Sequence, residues 1–482
     1  MHGILAWGAY LPYRRLDRAQ IGQFLGQGGG RGTRTVASFD EDPTTMGVEA
    51  AQMALRSTDA QPARLLFGTV APAYADKTNA TVVHAALRLD DTVAAYDLGC
   101  SVRSASGGLL LALDGGGPTL VVSADVRTGL AGSGEEAAGG DAAAAVLVGS
   151  DADGQLLAEL VTTASVTDEF VERWRTPGEV RTKVWDEKFS EVSYRPLGER
   201  AWKLALDRAG LTAPDVALAA VAAPSARVGS TVGGRLGGVQ VIDSLATTVG
   251  TTGAAHPAVL LASLLEQART LPAGSVVALV VLADGADVVL LRTTAALGAY
   301  RPARTVAEQV AGGAPLPYGK FLAWRGMIAL EPPRRPEPPR ISATAAARSE
   351  QWKYGFVGSR DPGTGMIHMP PARVSADGER TDQMQPAPMA AVTGTIATFT
   401  IDRVAYSPSP PIVFAIVDFD GGGRLPVELC DLDPAEVQIG RRVEPTFRRL
   451  YTADGIPNYF WKARLVRDAS ADTAAVTSGQ EG

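Results

Sequence analysis

Residues 92–113 constrain the fold of this chain more than any other stretch. Residues 92–98 are mostly apolar, alternating and β-branched, which predicts a strand, and residues 109–113 with their small neighbours predict a buried helix. The turn between them contains Cys100, Ser101 and Arg103. A strand, a tight turn and a helix in this order place a nucleophile at a helix N-terminus, where the dipole and free N–H groups favour an anion. This stretch therefore predicts a candidate nucleophilic site.

Composition limits the classes of function. The 482 residues suffice for two or three domains, and a net charge of −7 argues against nucleic acid or an anionic membrane as a partner. No apolar run has transmembrane length, and residues 1–10 predict a strand, not a signal peptide. We expect a cytoplasmic location, in which Cys100 and Cys430 stay reduced.

Predicted strands and helices alternate in two similar rounds up to residue 297. Residues 119–124 are almost continuously apolar, which is typical of a strand in a sheet covered on both faces. Residues 216–222 predict a strand in the second round. The repeated order predicts a layered α/β fold with an internal duplication.

The composition of the sequence changes after residue 297. Residues 331–339 are rich in proline and predict a stiff linker, and residues 349–385 are polar and turn-rich. Short alternating strands in residues 390–466 predict a small β-barrel, and the last residues predict a disordered tail.

Several motifs resemble known families. FDEDPTTMGVEAAQMAL (39–55), KTNATVVHAALRL (77–89), GGDAAAAVLVG (139–149) and VGTTGAAHP (249–257) resemble the thiolase superfamily, nearest to its hydroxymethylglutaryl-CoA synthase and ketoacyl-ACP synthase III branches. WKYGFVGSR (352–360) and SPPIVFAIVDFDGGGR (409–424) resemble the DUF35 module, a zinc ribbon followed by an OB-fold.

The resemblance implies an α/β thiolase fold of two duplicated, αβαβα-type layered halves, followed by a small all-β OB-fold barrel. The implied domains are two thiolase-like halves (1–150 and 151–297), a proline-rich linker (298–345), a degenerate zinc-ribbon segment (346–385), an OB-fold (386–466) and a tail (467–482). It also implies a homodimer formed through the thiolase-like body, and an acyl-CoA or an acyl carrier protein as partner.

The family's catalytic positions hold unusual residues here. Its nucleophile position falls on Val102, and Cys100 lies two residues earlier. The positions of its base histidine, asparagine and acid glutamate fall on Ala222, Thr251 and Val70. Alanine and valine cannot transfer protons, so the standard mechanism cannot run as written. Cys100 could still face the same side of the strand, or it could be a small buried hydrophobe.

The remaining polar residues give four candidate catalytic residues, Cys100, His256, Tyr74 and Asp76. His256 follows the glycine turn at the start of a predicted helix, where its pKa would be lowered and it could act as a neutral donor. Tyr74 and Asp76 share a loop that borders the active site in the resembling family, although they could equally belong to a plain loop.

Four further residues are candidates for substrate binding: Arg103, Arg227, Thr251 and His84. Either arginine could hold a CoA or carrier phosphate, because guanidinium pairs with phosphate in a bidentate way, or could form a structural ion pair. His84, within a predicted amphipathic helix, could instead be an interface residue.

The zinc-ribbon segment lacks the expected ligands. The family's four cysteine positions fall on Asp361, Thr364, Ser375 and Gly378, and His368 alone cannot make a tetrahedral site. We therefore expect no metal and no bound cofactor. The basic residues of the OB-fold predict a modestly basic surface, for which we expect an acyl arm or the thiolase body as partner and not nucleic acid; they are Arg441, Arg442, Arg448, Arg449 and Lys462.

Three functions remain open from the sequence. The first is a hydroxymethylglutaryl-CoA synthase-like enzyme for condensation or acyl transfer, with its usual machinery displaced or lost. The second is a cysteine-independent aldolase acting on a β-hydroxyacyl-CoA. The third is a non-catalytic scaffold subunit.

Overall fold

A computed structural model describes residues 1–179 and 181–467, so the predicted tail lies outside the described residues from residue 468 onward. The chain divides into two compact units. The first unit consists of Met1–Ala37, Asp42–Thr81 and Asp91–Met327, and the second of Ser38–Glu41, Val82–Asp90 and the chain from Ile328.

Strands and helices alternate through the first 327 residues. The strands are β1 (His2–Tyr10), β2 (Arg14–Asp17), β3 (Thr33–Val36), β4 (Arg64–Gly68), β5 (Ala94–Leu98), β6 (Thr119–Asp125), β7 (Ala142–Ser150), β8 (Ala158–Thr167), β9 (Arg173–Trp174), β10 (Lys183–Val184), β11 (Val216–Ala222), β12 (Gln240–Val241), β13 (Val276–Leu282), β14 (Gly285–Thr293) and β15 (Ala314–Pro315). The helices are α1 (Ala19–Leu25), α2 (Pro43–Leu55), α3 (Ala80–Leu87), α4 (Val102–Leu113), α5 (Gly134–Ala138), α6 (Glu187–Ala209), α7 (Ala226–Gly233), α8 (His256–Ala268), α9 (Ala295–Ala299), α10 (Val306–Ala311) and α11 (Tyr318–Trp324).

One mixed sheet forms the centre of the first unit. Among the described residues its ten strands follow the order β12-β11-β13-β14-β8-β1-β7-β6-β4-β5. The order is symmetric about the junction of β1 and β8, where Gly3 pairs with Glu159. In both halves the outer three strands run parallel and the next is antiparallel. The sheet therefore contains the duplication that the element order predicts.

Helices α2 and α8 pack against the sheet because most of their side chains are apolar or small. α2 begins with Asp42 as its N-cap in a reciprocal capping box with Thr45, and almost every residue of the helix is buried. α8 is buried along most of its length and packs in the same apolar cluster as α4. α6 is 23 residues long and accommodates Pro196 within it.

The predicted linker at 298–345 contains regular structure in its first part. α10 and α11 lie there, β15 pairs with β2, and the first unit continues to Met327. Tyr318 and Phe321 of α11 are buried in an apolar cluster with Leu16 and Ile21.

The second unit is mostly β-structure. It contains α12 (Ala343–Arg348), α13 (Glu350–Lys353), β16 (Val357–Arg360), β17 (Ile367–His368), β18 (Gln385–Pro388), β19 (Gly394–Asp402), β20 (Ile412–Phe419), β21 (Arg424–Leu429), β22 (Arg442–Ala453) and β23 (Ile456–Leu465). The last five strands close into a barrel in the order β19-β20-β21-β23-β22. Stacked rings of Phe356 and Trp461, and of Phe447 and Tyr459, fill the unit's core.

Two of the basic residues expected on the barrel surface are buried instead. Arg448 is fully buried and its guanidinium lies 2.7 Å from Glu41 and 2.6 Å from Asp431. The Lys462 ammonium lies 2.9 Å from Asp40 and 2.5 Å from Glu428. The expectation of a surface role for Arg448 and Lys462 was wrong, because carboxylates of the 38–41 segment and of the barrel neutralise both inside the unit.

None of the helices within residues 1–179 and 181–467 combines the length and the apolar character that crossing a membrane requires.

Candidate functional site

The N-terminus of α4 occupies the place predicted for a nucleophile. Ser101 is extended and its hydroxyl accepts a hydrogen bond from the backbone N–H of Ser104, at 3.1 Å, which caps the helix. Val102 is the first residue of α4, so the position expected to hold the family's nucleophile has an isopropyl group.

Val102 packs against an apolar cluster, the slot cluster, formed by Val70, Ala105 and Ala254. These three side chains are at most 9% exposed. Val70 holds the position expected for the family's acid. The structure thus brings two of the four sequence-predicted positions together, and apolar contacts fill the space between them.

A buried carboxylate supports the slot cluster. Asp125 at the end of β6 accepts hydrogen bonds from the backbone N–H groups of Val70 and Ala254, at 3.0 and 2.8 Å. Burial raises the pKa of Asp125, and the Arg127 guanidinium, 3.8 Å away, opposes that shift. A Cβ on Gly253, whose φ is +55°, would lie 2.1 Å from an oxygen of Asp125, so this turn requires glycine.

Asp125 is the first member of a network of partly and fully buried charged side chains, which the sequence did not lead us to predict. Arg127 and Arg173 both contact Glu135, at 3.4 and 2.5 Å, and their charges hold the pKa of Glu135 below its usual value despite burial. Arg173 also lies 3.8 Å from Glu172. The sequence offered one sign of this network, the charged pair Asp125 and Arg127 directly after an apolar strand.

Cys100 is exposed on the loop between β5 and α4, so the alternative of a buried hydrophobic cysteine was wrong. Cys430 is buried, and burial raises the pKa of its thiol well above the usual value. Between the two cysteines, Cys100 is the thiol that a reagent or substrate can reach in the folded chain.

His256 is buried at the first position of α8. Burial lowers its pKa to about 4, so the imidazole is neutral at pH 7. Its Nδ1 lies 3.3 Å from the Thr252 hydroxyl. A lowered pKa was expected from the helix N-terminus, whereas loss of solvation is the cause in the structure.

Tyr74 and Asp76 occupy the loop after the slot cluster's Val70. The Tyr74 backbone N–H donates to the Asn79 side chain at 3.0 Å, and the Lys77 ammonium lies 5.5 Å from the Tyr74 ring centre. Burial, with a smaller contribution from the Asp42 carboxylate, raises the pKa of the Tyr74 hydroxyl. Asp76 is exposed. The Tyr74 hydroxyl is therefore neutral at pH 7, and Asn79 holds the backbone of this residue in the loop.

The two candidate arginines both have carboxylate partners. Arg103 lies 3.2 Å from the buried Asp287, and Arg227 lies 2.8 Å from Glu191 in a largely exposed pair. The structure thus gives each arginine the ion pair that the sequence left open as its alternative to phosphate binding.

Thr251 and His84 both contact backbone groups of other residues. The backbone of Thr251 pairs with Gly139 in an isolated bridge, and its N–H donates to the carbonyl of Ala138 at 2.8 Å. The His84 imidazole lies 3.0 Å from the carbonyl oxygen of Asp90, within the second unit.

The residues at the four expected zinc positions do not fit a zinc site. They offer one carboxylate, two hydroxyls and no side chain at Gly378, whereas structural zinc takes thiolate and imidazole ligands. The Asp361 carboxylate already accepts hydrogen bonds from Thr364 and Gly363, at 2.6 and 3.0 Å. Within the described residues no three His, Cys, Asp or Glu side chains are grouped so that they could hold a metal ion.

Comparison with solved structures identifies the fold. A hydroxymethylglutaryl-CoA synthase solved with CoA aligns with a TM-score of 0.57 at 16% identity, covering 66% of this chain and 89% of that one. Ketoacyl-ACP synthase III from Pseudomonas aeruginosa aligns with a TM-score of 0.53 at 22% identity, covering 61% and 98%. The chain therefore has the thiolase fold, as the motifs predicted.

The chain is also similar in sequence to curated proteins. Hydroxymethylglutaryl-CoA synthase of Aeropyrum pernix is 34% identical over 161 residues, 30% of this chain and 45% of the relative. That of Pyrobaculum aerophilum is 29% identical over 36% of this chain and 54% of the relative, so the chain spans about half the length of these two relatives. The Caldivirga maquilingensis enzyme is 28% identical over 68% of this chain and 98% of its own length.

A family model described as the ChsH2 C-terminal OB-fold domain matches residues 388–448. This match confirms the OB-fold predicted for the β-barrel. The chain is thus similar in sequence to hydroxymethylglutaryl-CoA synthases and has a C-terminal OB-fold domain.

Proposed function

We propose that the chain acts on acyl thioesters of CoA or of an acyl carrier protein, as an enzyme of the condensing or acyl-transfer type that uses Cys100 as its nucleophile. The observation that carries the proposal is the exposed thiol of Cys100 on the loop directly before α4. The condensing-enzyme relatives support the reaction class.

The proposed step is a thiol exchange. The Cys100 thiolate attacks the thioester carbonyl carbon, a new C–S bond forms, and the C–S bond to the carrier breaks. The released carrier thiolate takes up a proton, and the acyl group remains on Cys100. No metal or redox partner is needed to balance this step.

A second candidate function follows from the slot cluster. Because Val70 and Val102 pack tightly where an acid and a nucleophile were expected, a reaction without covalent catalysis is the alternative. Cleavage of a β-hydroxyacyl-CoA needs a base for the hydroxyl proton, after which the carbon–carbon bond breaks and the thioester enolate is protonated. Tyr74, held in its loop by Asn79, and the neutral His256 are the candidate proton carriers.

We also propose that the chain is a cytoplasmic homodimer. β5 lies at the end of the ten-stranded sheet of the described first unit, and Tyr96 on it is 56% exposed. An open edge strand of this kind is available for pairing with a second copy. We do not expect nucleic acid as a partner, because Arg448 and Lys462 of the barrel are buried in ion pairs.

Intact-mass spectrometry after incubation with a panel of acyl-CoAs tests the proposal. We expect an acyl adduct on the native chain that is absent from Cys100→Ala. The buried Cys430 provides an internal control, because peptide mapping should find it unmodified.

The remaining outcomes decide between the alternatives. Turnover of a β-hydroxyacyl-CoA that persists in Cys100→Ala overturns the nucleophile and supports the cysteine-independent lyase. If calorimetry detects no acyl-CoA binding at all, both enzymatic proposals fail and a scaffold function remains.

A further inference from the structure

The segment that resembles a zinc ribbon forms a small three-stranded sheet in the second unit. Its strand order is β17-β16-β18, and β16 pairs antiparallel with both neighbours. Two loops leave this sheet, residues 361–366 and residues 369–384. The four expected metal positions fall two in each loop.

The first loop is closed by its own hydrogen bonds. The backbone N–H of Asp361 donates to the carbonyl of Met366, and that of Gly365 donates to the carbonyl of Asp361, both at 2.8 Å. The Asp361 side chain is fully buried and is bonded to Thr364 and Gly363. These two hydrogen bonds hold the pKa of Asp361 below its usual value, so the loop presents a buried carboxylate.

The second loop is closed around Ser375. Its N–H donates to the carbonyl of Arg380 at 2.9 Å, and its hydroxyl accepts from the N–H of Arg380 at 3.0 Å. The N–H of Gly378 donates to the carbonyl of Ser375 at 3.0 Å. Arg380 is therefore a residue of this second loop.

The Arg380 guanidinium links the two loops. One of its terminal nitrogens lies 3.5 Å from the Asp361 carboxylate in the first loop and 3.5 Å from that of Asp377 in the second. The same nitrogen is shielded from solvent and makes no hydrogen bond within the described residues, so it contacts the two carboxylates as a charge. A Cβ on Gly363 would lie 2.1 Å from the central guanidinium carbon, so the cation sits directly against that backbone.

We propose that the guanidinium of Arg380 is the cation that holds the two loops of this degenerate ribbon together, in place of a zinc ion. A zinc ribbon joins two loops by placing a positive charge between anionic ligands. Here a permanently charged group with five donors lies between two carboxylates. The hydroxyls of Thr364 and Ser375, at two of the expected metal positions, donate to these same carboxylates. The folding of the segment then needs neither metal nor thiolate.

An arginine in the place of zinc changes which treatments can unfold the segment. Zinc–thiolate sites lose their structure to chelators and to thiol oxidation, because metal binding and folding are linked. With an arginine as the internal cation, the segment keeps its loops under both treatments.

Hydrogen exchange measured by mass spectrometry on the full chain tests the proposal. We expect Arg380→Met to raise the exchange rates of amides in residues 361–380 about tenfold, because the buried Asp361 carboxylate loses the cation that neutralises it. Gly363→Ala should raise the same rates by displacing the guanidinium while keeping its charge. Arg373→Met is the matched control, because Arg373 pairs with Asp382 in an exposed bridge of the same segment.

Two results would overturn the proposal. The first is unchanged exchange in residues 361–380 of Arg380→Met. The second is faster exchange of those residues in the native chain after EDTA treatment, together with one zinc per chain by elemental analysis. If Arg380→Met does not fold, Gly363→Ala and the EDTA comparison still decide, because neither removes the arginine.

Discussion

The Arg103 guanidinium lies 3.2 Å from the carboxylate of Asp287, and this ion pair joins the first turn of α4 in one half of the ten-stranded sheet to β14 in the other half. Asp287 is 3% exposed and Arg103 is 19% exposed. Arg103 also donates to the carbonyl of Val166 on β8 at 3.3 Å. The pair therefore fixes the helix that begins beside Cys100 to the opposite half.

The first prediction concerns this pair. Arg103→Ala should destabilise the first unit by about 3 kcal/mol, because it leaves the carboxylate of Asp287 buried without its cation. Thermal unfolding of the full chain measures the loss. Arg227→Ala is the control, since its pair with Glu191 is largely exposed and should contribute at most about 1 kcal/mol. Equal losses in the two variants would contradict the structural role of Arg103.

Much of the fold was predictable because apolar runs and turns determine it locally. Residues 119–124 were predicted as a buried strand and residues 216–222 as a strand, and both are interior strands of the ten-stranded sheet. The order of the strands in the sheet does not follow from short stretches of sequence. The exposure of a residue that depends on this order cannot be predicted from them either. Cys100 is exposed where it follows the edge strand β5, which no pattern around the cysteine could indicate.

Long-range ion pairs were also beyond sequence reasoning. The Ser38 hydroxyl donates to the Asp431 carboxylate, 393 positions away in the chain. Arg448 and Lys462 pair with Glu41 and Asp40 of the same 38–41 segment. Alternation along β22 and β23 identifies which side chains share a face. It does not identify which face meets the 38–41 segment.

The second prediction concerns thiol reactivity. In the native chain one thiol, that of Cys100, should react promptly with a disulfide reagent, and the second should react only after denaturation. The reason is that Cys430 is buried and its pKa is raised, so little thiolate is present. Absorbance of the released aromatic thiol counts the reacting groups. A prompt reaction in Cys100→Ser would show that Cys430 is accessible.

The third prediction is a pH dependence of stability. Burial raises the pKa of Glu266 on α8 to about 7. Between its ordinary value of 4.5 and about 7, the folded state keeps a proton that the unfolded state has lost. Stability therefore falls as pH rises through this window, by about 3 kcal/mol from this group, and is constant above it.

Glu266→Gln tests this assignment, because the amide oxygen can still accept the backbone N–H of Val306, which lies 3.0 Å from the carboxylate. Melting temperatures at pH 5 and pH 8 should differ less in the variant than in the native chain. The exposed Glu169→Gln should leave the native difference unchanged. A variant with the full native difference would assign the pH dependence to other groups.

The fourth prediction concerns the slot cluster. Val70→Glu restores the acid expected from the family but places a carboxylate among Val102, Ala105 and Ala254, next to Asp125. It should destabilise the chain by about 3 kcal/mol or more, whereas Val70→Ala should cost about 1 to 2 kcal/mol. Thermal unfolding compares the two variants. A stable Val70→Glu with new condensing activity would mean that the cluster has room for a catalytic acid.

The fifth prediction concerns the buried charges of the second unit. The Lys462 ammonium lies 2.9 Å from Asp40 and 2.5 Å from Glu428, and it is 1% exposed. Lys462→Met keeps most of the apolar volume but leaves Glu428 without its cation and takes one of two cations from Asp40, which also lies 3.6 Å from Arg448, so we expect a loss of about 3 to 5 kcal/mol at pH 7.

Acid should reduce this loss, because burial raises the pKa of Glu428 and a protonated carboxyl no longer needs a cation. Hydrogen exchange of the amides of β21 and β23, measured at pH 5 and pH 7, follows the effect within the second unit. Adding Glu428→Gln to Lys462→Met should recover part of the protection at pH 7. Arg424→Met removes a cation from the exposed pair with Asp418 and should change protection by at most about 1 kcal/mol. If Arg424→Met and Lys462→Met gave equal losses, the buried ion pairs would contribute no more than a surface pair does.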